Sequence, residues 1–276
     1  MRLLKNVSLM AITSMLAACA AGPQPYRSAQ LIEQSNKYTV SHLQDSMASD
    51  QSHRFLDKEH TVYYEQNFGG GGVALGVLLG PLGALANVEA IKSETNKDAA
   101  VLQDKLPVDV TALFHASLDQ AATLAPATPG ASAPELAPAL FVQKLADEHI
   151  RFASMLVVTE HVSGKSILRK YFYVLPESYP KEALLQGLTP TQIAQLSADV
   201  RIGFDWIVAT YARDVDGTFK PGTKAQMHSD FVSPRFQFAS VGYSFDAGPG
   251  RVGFAMQIAD FTTVYSLPKD VATLTM

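Results

Sequence analysis

Several short stretches carry residue types whose spacing invites a chemical reading. Gly164-Lys165-Ser166 has the ending of a phosphate-binding loop. That loop needs a glycine five positions before Gly164, where Thr159 stands, and a helix after it, where Ile167 to Leu175 reads as a strand. The expectation is a hairpin turn. Asp214-Val215-Asp216-Gly217 has the opening of a calcium loop, but the glycine belongs in sixth place and an acid in twelfth. Here Gly217 is fourth and Ala225 twelfth, so the stretch reads as a solvated helix end. Asp147-Glu148-His149 and Glu160-His161 are the acid–histidine neighbours. Adjacent side chains of a strand face opposite sides, so Glu160 and His161 do not act together. A triad would have to pair His161 with Ser154 or Ser163 and a remote acid, without a Gly-x-Ser-x-Gly elbow. The seven histidines form no metal pair at helical spacing and no HExxH. They are read as structural, with no metal and no cofactor expected. Trp206 and the run Tyr171-Phe172-Tyr173 are read as packing residues. The remaining stretch is Leu16-Ala17-Ala18-Cys19, which contains the single cysteine of the chain.

Its setting gives that stretch meaning. Arg2 and Lys5 make a positive start, and Val7 to Leu16 make a short, mostly apolar middle, as in a secretory signal. Leu16-Ala17-Ala18-Cys19 then resembles the lipobox of bacterial lipoproteins. The resemblance covers about the first twenty residues. It implies cleavage before Cys19, a diacylglyceryl group on its sulfur and a fatty acyl chain such as palmitate on the new amino terminus. Each buried methylene contributes about 0.8 kcal/mol; one chain anchors reversibly, and two or three hold a protein on a bilayer. Ala20 stands where inner-membrane lipoproteins tend to carry Asp. The resemblance therefore implies the outer membrane, on its periplasmic face.

Removing residues 1–18 takes away Arg2 and Lys5 and no acid. That leaves 20 basic against 26 acidic residues, a formal charge of −6, which argues against nucleic acid as a partner. With 47% hydrophobic and 17% charged residues the chain is a folding one, and its 276 residues can bury a core without disulfide staples.

The elements then follow in order. Residues 19–36 read as a lipidated tether, and residues 37–121 as an N-terminal region in which Tyr38 to Val40 and Thr61 to Tyr64 are β-prone. Within it, Phe68 to Val88 contains no charged residue, and Gly72, Gly76 and Gly80 recur every fourth position. They share one helical face and resemble a glycine zipper, a helix-packing surface. A second helix is expected from about Pro81 to about Leu102, and a short one after Asp109 as N-cap. Residues 122–138, rich in Ala and Pro, read as a linker, and residues 139–276 as an α+β domain. Ile150 to Val162 is apolar on both faces, a central strand, and forms a hairpin with Ile167 to Leu175, which Pro176 and Pro180 should end. Thr189, Pro190 and Gln192 make a capping box ahead of a long amphipathic helix that stops at Asp216-Gly217. Arg235 to Phe245, with a bulge near Ser240, then Val252 to Ile258 and Phe261 to Leu267 alternate as three strands. The expected fold class is α+β: an antiparallel sheet with a helix on one face, in hairpin–helix–meander order, preceded by a Gly-rich helical segment.

For function, these readings favour a non-catalytic, lipid-anchored envelope protein. It would work as a binding or assembly module, with another envelope protein or a second copy as partner. Two alternatives compete: a periplasmic hydrolase with dispersed catalytic residues, and a membrane-active or oligomerising protein acting through the Gly-rich segment.

Overall fold

The computed structural model describes residues 25–29, 36–66, 88–128, 130–145, 148–162, 164–232 and 239–276. The lipobox, the zipper glycines Gly72, Gly76 and Gly80, the expected helix start at Pro81 and residues 235–238 of an expected strand lie outside these residues, while Ser240, where a bulge is expected, pairs with Met227 in a register unbroken through Tyr243. The fold is α+β. In chain order the described elements are β1 (Lys37–Val40), β2 (His53–Phe55), β3 (Val62–Gln66), α1 (88–102), α2 (Val110–Leu118), β4 (Ala125–Pro126), β5 (Glu135–Lys144), β6 (His149–Val162), β7 (Lys165–Pro180), α3 (Lys181–Gln186), α4 (Pro190–Val215), β8 (Lys224–Ser229), β9 (Ser240–Phe245), β10 (Arg251–Ile258), β11 (Phe261–Pro268) and β12 (Ala272–Thr275).

The centre of the sheet is β5–β6–β7, and its residues explain why. In β6, Ile150, Phe152, Leu156 and Val158 join one apolar cluster, while Ala153, Met155 and Val157 join a second on the opposite face. β5 and β7 divide in the same way, with Leu140 and Tyr171 on the first face and Phe141 and Phe172 on the second. A strand apolar on both faces has to lie inside a sheet covered on both sides. The first face carries α4, through Val200, Phe204, Ile207 and Tyr211, together with α2, whose Phe114 ring meets Phe204 edge-on at 5.4 Å. α4 opens on the expected capping box: Thr189 Oγ1 accepts from Gln192 N while the Gln192 side chain accepts from Thr189 N.

The second face is covered by the sheet itself. Phe231, just after β8, packs its ring against Phe141 at 5.6 Å and Phe172 at 6.2 Å, and Gln143 Nε2 donates to its carbonyl at 3.0 Å. β8 stands six places from β5 in the strand order β12-β8-β9-β10-β11-β7-β6-β5-β1-β4. A flat sheet would separate them by about 29 Å at roughly 4.8 Å per strand. The sheet therefore coils until its ends approach, enclosing the second cluster.

Three expectations are corrected. The sheet is mixed, not antiparallel: β11 runs parallel to β7 (Phe261↔Leu168 to Ser266↔Tyr173), and β1 and β3 both run parallel to β5. Parallel pairs need a crossover, which α4 with β8–β10 provides for β7 and β11, and α1 with α2 for β3 and β5. Residues 122–138 contain β4 and the start of β5, so the Ala/Pro-rich stretch belongs to the sheet. The first apolar cluster likewise joins Leu56, Leu102 and Phe114 to Phe204 across that supposed linker. Finally, Pro176 does not end β7. The register slips between Arg151 and Ala153, so Pro176 sits in a bulge, and Arg151 Nη1 donates to its carbonyl at 3.1 Å.

At Gly203 of α4 an added Cβ would collide with the Ser154 side chain of β6. Gly203→Ala should therefore destabilise the fold by about 1–3 kcal/mol through overpacking, outweighing the roughly 1 kcal/mol gained in helix propensity. Urea unfolding of the two proteins measures the difference.

Candidate functional site

The apolar row of α4 runs Phe204, Ile207, Tyr211 and then Asp214, an acid at a core position with no solvent exposure. The helix-facing row of β6 likewise ends at Glu160, and that of β7 places Arg169 beside Tyr171. The three charges meet beneath α4. Arg169 Nε lies 3.5 Å from Glu160 Oε2, and its Nη1 lies 3.5 Å from Asp214 Oδ2. Asp214 Oδ2 also accepts from Tyr171 OH at 2.6 Å and from Tyr26 OH at 2.9 Å, while its Oδ1 accepts from Ala29 N at 3.3 Å. Arg169 Nη1 donates to the Arg27 carbonyl at 2.6 Å. Residues 25–29 are thus strapped onto the fold by one acid and one guanidinium. Tyr26 also packs edge-on against Phe219 at 5.4 Å, and Ala29 is fully buried.

Glu160 is the uneasy member. Burial pushes its carboxyl up to about 7, with Arg169 pulling it down and Asp214 adding to the rise. Its Oε1 and the hydroxyl of Tyr211 have no hydrogen-bond partner among the described residues. The cluster is sealed from solvent, so its chemistry is that of a latch for the incoming chain.

A second node lies near the other end of the sheet. His53 Nδ1 is 2.6 Å from Asp50 Oδ2, its Nε2 is 3.4 Å from Glu65 Oε2, and its ring stacks on Tyr63 at 5.2 Å. Burial opposes the charged imidazole, but Glu65 and Asp50 outweigh it and raise the pKa above the ordinary value. A ring that donates from both nitrogens keeps no lone pair to act as a general base. A third node ties α1 to the sheet. Asp98, fully buried, meets Lys144 Nζ at 3.1 Å and pairs with Lys181, and Tyr64 OH donates to it at 3.0 Å.

The residues singled out in the sequence do not converge. His161 is exposed, with Ser166 Oγ at 3.2 Å, while Glu160 points to the opposite, buried face. Ser154 is buried and donates to the Val200 carbonyl at 2.9 Å, so it is not held for attack. Ser163 lies outside the described residues. Gly164 takes a positive φ of 78° in the β6–β7 turn, as a hairpin requires. Asp216 accepts from Thr218 N at 2.8 Å, and no group of three or more metal-ligating side chains occurs among the described residues. Tyr171 and Phe172 are buried on opposite faces, and Trp206 is half-buried beside Tyr173 at 5.8 Å. The Glu160–Arg169–Asp214 cluster was missed because each residue was read within its own element. Its signal was a charge at a position where the period of α4, β6 or β7 calls for an apolar residue.

No family model matches the chain, and no curated protein matches it. A solved structure titled "Crystal structure of uncharacterized protein" aligns over 69% of this chain and 96% of its own, at 11% identity and a TM-score of 0.22. That likeness carries no argument about fold or function.

An acid whose folded pKa lies above its unfolded one holds its proton more tightly in the native state. The contribution of Glu160 to stability therefore falls as pH rises from about 4.5 to about 7 and then levels off. At about 1.4 kcal/mol per unit this amounts to a few kcal/mol. Glu160→Gln should match the wild type near pH 5, exceed it in stability near pH 8, and lose the slope between. Urea midpoints across that range read the outcome.

Proposed function

We propose that this chain is a non-catalytic lipoprotein of the bacterial cell envelope, anchored through Cys19 to the periplasmic face of the outer membrane. It serves there as a binding or assembly module for another envelope protein or a second copy of itself. The observation that carries the reading is the strap. Residues 25–29 are held by Asp214 and Arg169, and Tyr26 stands only seven positions after Cys19. Seven residues span at most about 25 Å at roughly 3.5 Å each. An acylated Cys19 therefore keeps the fold close to the bilayer, with the Asp214 end of α4 nearest the lipid.

Two further points bear on the reading. The formal charge of −6 left after Cys19 becomes the first residue disfavours nucleic acid and makes the acyl chains, rather than a basic surface, the source of membrane affinity. No helix among the described residues is long and apolar enough to cross a membrane.

The test has two arms. Cys19→Ser should abolish incorporation of a labelled fatty acid and leave an uncleaved or misrouted precursor; equal labelling of the two proteins would refute the anchor. Crosslinking in intact cells should capture an envelope protein or a second copy in the wild type. Capture should drop at least several-fold in Cys19→Ser, because membrane confinement raises the effective concentration of partners.

A further inference from the structure

Residues 25–29 lie against two members of the buried charge cluster. Tyr26 OH donates to Asp214 Oδ2 at 2.9 Å, Ala29 N to Asp214 Oδ1 at 3.3 Å, and Ser28 Oγ to the Asp214 carbonyl at 2.5 Å. Arg169 Nη1 donates to the Arg27 carbonyl at 2.6 Å. The third member, Glu160, is linked to the strap through Arg169, whose Nε stands 3.5 Å from Glu160 Oε2. One guanidinium therefore faces the strap, Asp214 and Glu160 together.

These parts differ in how firmly they are held. β6 and β7 are inner strands and α4 packs on them, with Leu156, Tyr171 and Phe204 fully buried. In the strap Ala29 is fully buried, but Pro25 and Arg27 are exposed. Local opening draws on the parts with the fewest buried contacts, so the strap can leave the cluster while the sheet stays folded. Its departure removes the Arg27 carbonyl from Arg169 and admits water to that guanidinium and to Glu160 beside it. In the closed fold Glu160 Oε1 has no hydrogen-bond partner among the described residues. An ionised Glu160 is therefore better solvated with the strap lifted, and a protonated one is at home with the strap down. Burial pushes its carboxyl up to about 7 in the closed fold, against about 4.5 in water. Asp214 is the other acid facing it, and adds a like charge. Arg169 stays charged, and burial holds the hydroxyls of Tyr26, Tyr171 and Tyr211 above the ordinary phenol range.

We propose that the strap is a proton-linked latch: loss of the Glu160 proton lets residues 25–29 lift from Asp214 and Arg169 while the sheet and α4 stay folded. The latch is independent of the anchor and works whether or not Cys19 is acylated. Hydrogen–deuterium exchange of the full chain tests it, read at the Ala29 amide, with the Met155 amide of β6 reporting global unfolding. Rates are corrected for the intrinsic exchange rate at each pH. Ala29 should exchange faster than Met155, and its protection should fall by about tenfold or more between roughly pH 5.5 and pH 8, most of it below pH 7. In Glu160→Gln the fall should disappear. Tyr26→Phe keeps Glu160 and removes one bond of the strap, so it should lower the protection of Ala29 several-fold at every pH and retain the fall. That variant keeps the test open if Glu160→Gln does not fold. An equal fall in Glu160→Gln, no fall in the wild type, no loss of protection in Tyr26→Phe, or exchange of Ala29 only at the rate of Met155 would each overturn the latch.

Discussion

The Asp214 carboxylate, buried on the sheet-facing side of α4, is the point at which three parts of the chain, the strap, β7 and α4 itself, are held together. It takes hydrogen bonds from Tyr26 and Ala29 at the start of the described chain and from Tyr171 of β7, and it faces the Arg169 guanidinium. Removing such an acid leaves a buried arginine short of charge and two tyrosines short of an acceptor, a loss of about 3–5 kcal/mol by the usual scale for breaking a buried pair. Replacing the whole cluster by apolar residues need not weaken the fold, so the cluster is poorly explained as a source of stability alone. What it supplies is specificity. A hydrophobic strap could slide, whereas the directed bonds that Tyr26 OH and Ala29 N give to Asp214, with the one that the Arg27 carbonyl takes from Arg169, fix it in a single place.

Around this point the sheet solves a packing problem set by β5, β6 and β7. These strands are apolar on both sides, and the described helices cover one of them. The other is closed by coiling, which brings Phe231 from the far end of the sheet onto Phe141 and Phe172. The glycines at the tight places match this geometry. A Cβ on Gly242 would meet the Ala255 carbonyl and the Phe254 ring, and one on Gly253 would meet the Phe245 carbonyl and ring. Both lie on strands that must bend, β9 and β10, where neighbouring backbone and rings leave no room for a side chain.

Much of the local structure was legible because its signals are local. The capping box of α4, the Asp109 cap of α2, the β6–β7 turn at Gly164 and the two-faced run of β6 each depend on residues within a few positions. What escaped was non-local. The parallel pairing of β11 with β7 joins residues about ninety positions apart and has no turn sequence to announce it. β8 and β12 are short and polar on alternate residues, so they look like loops until the sheet gives them partners. The candidate site escaped for a related reason. Arg27, Glu160, Arg169 and Asp214 belong to the strap, two strands and a helix, and only the register of β6 on β7 brings Glu160 and Arg169 under Asp214. His53 had a local cue, Asp50 three positions earlier, but Glu65 reaches it only through the pairing of β2 with β3.

On the proposed anchoring through Cys19, the position of the strap bears on how the fold would resist a pull from the membrane. A domain held to a surface by a flexible chain is pulled at the residue where the chain first meets the fold. Among the described residues, the first to meet the fold lie in the sequence Tyr26 to Ala29, bonded to the last turn of α4 and to β7. Both of those elements are central: β7 sits between β6 and β11, and α4 spans 26 residues across the sheet. A pull on the strap therefore loads the core rather than an edge strand that could peel away one hydrogen bond at a time. Glu160 modulates this join. Ionised, it gives Arg169 a second carboxylate and sets a like charge near Asp214; protonated, it leaves Arg169 to Asp214 alone. With its carboxyl pushed up to about 7, the balance of charge at the join shifts around neutral pH, so the same residues that fix the strap also set how firmly it is held.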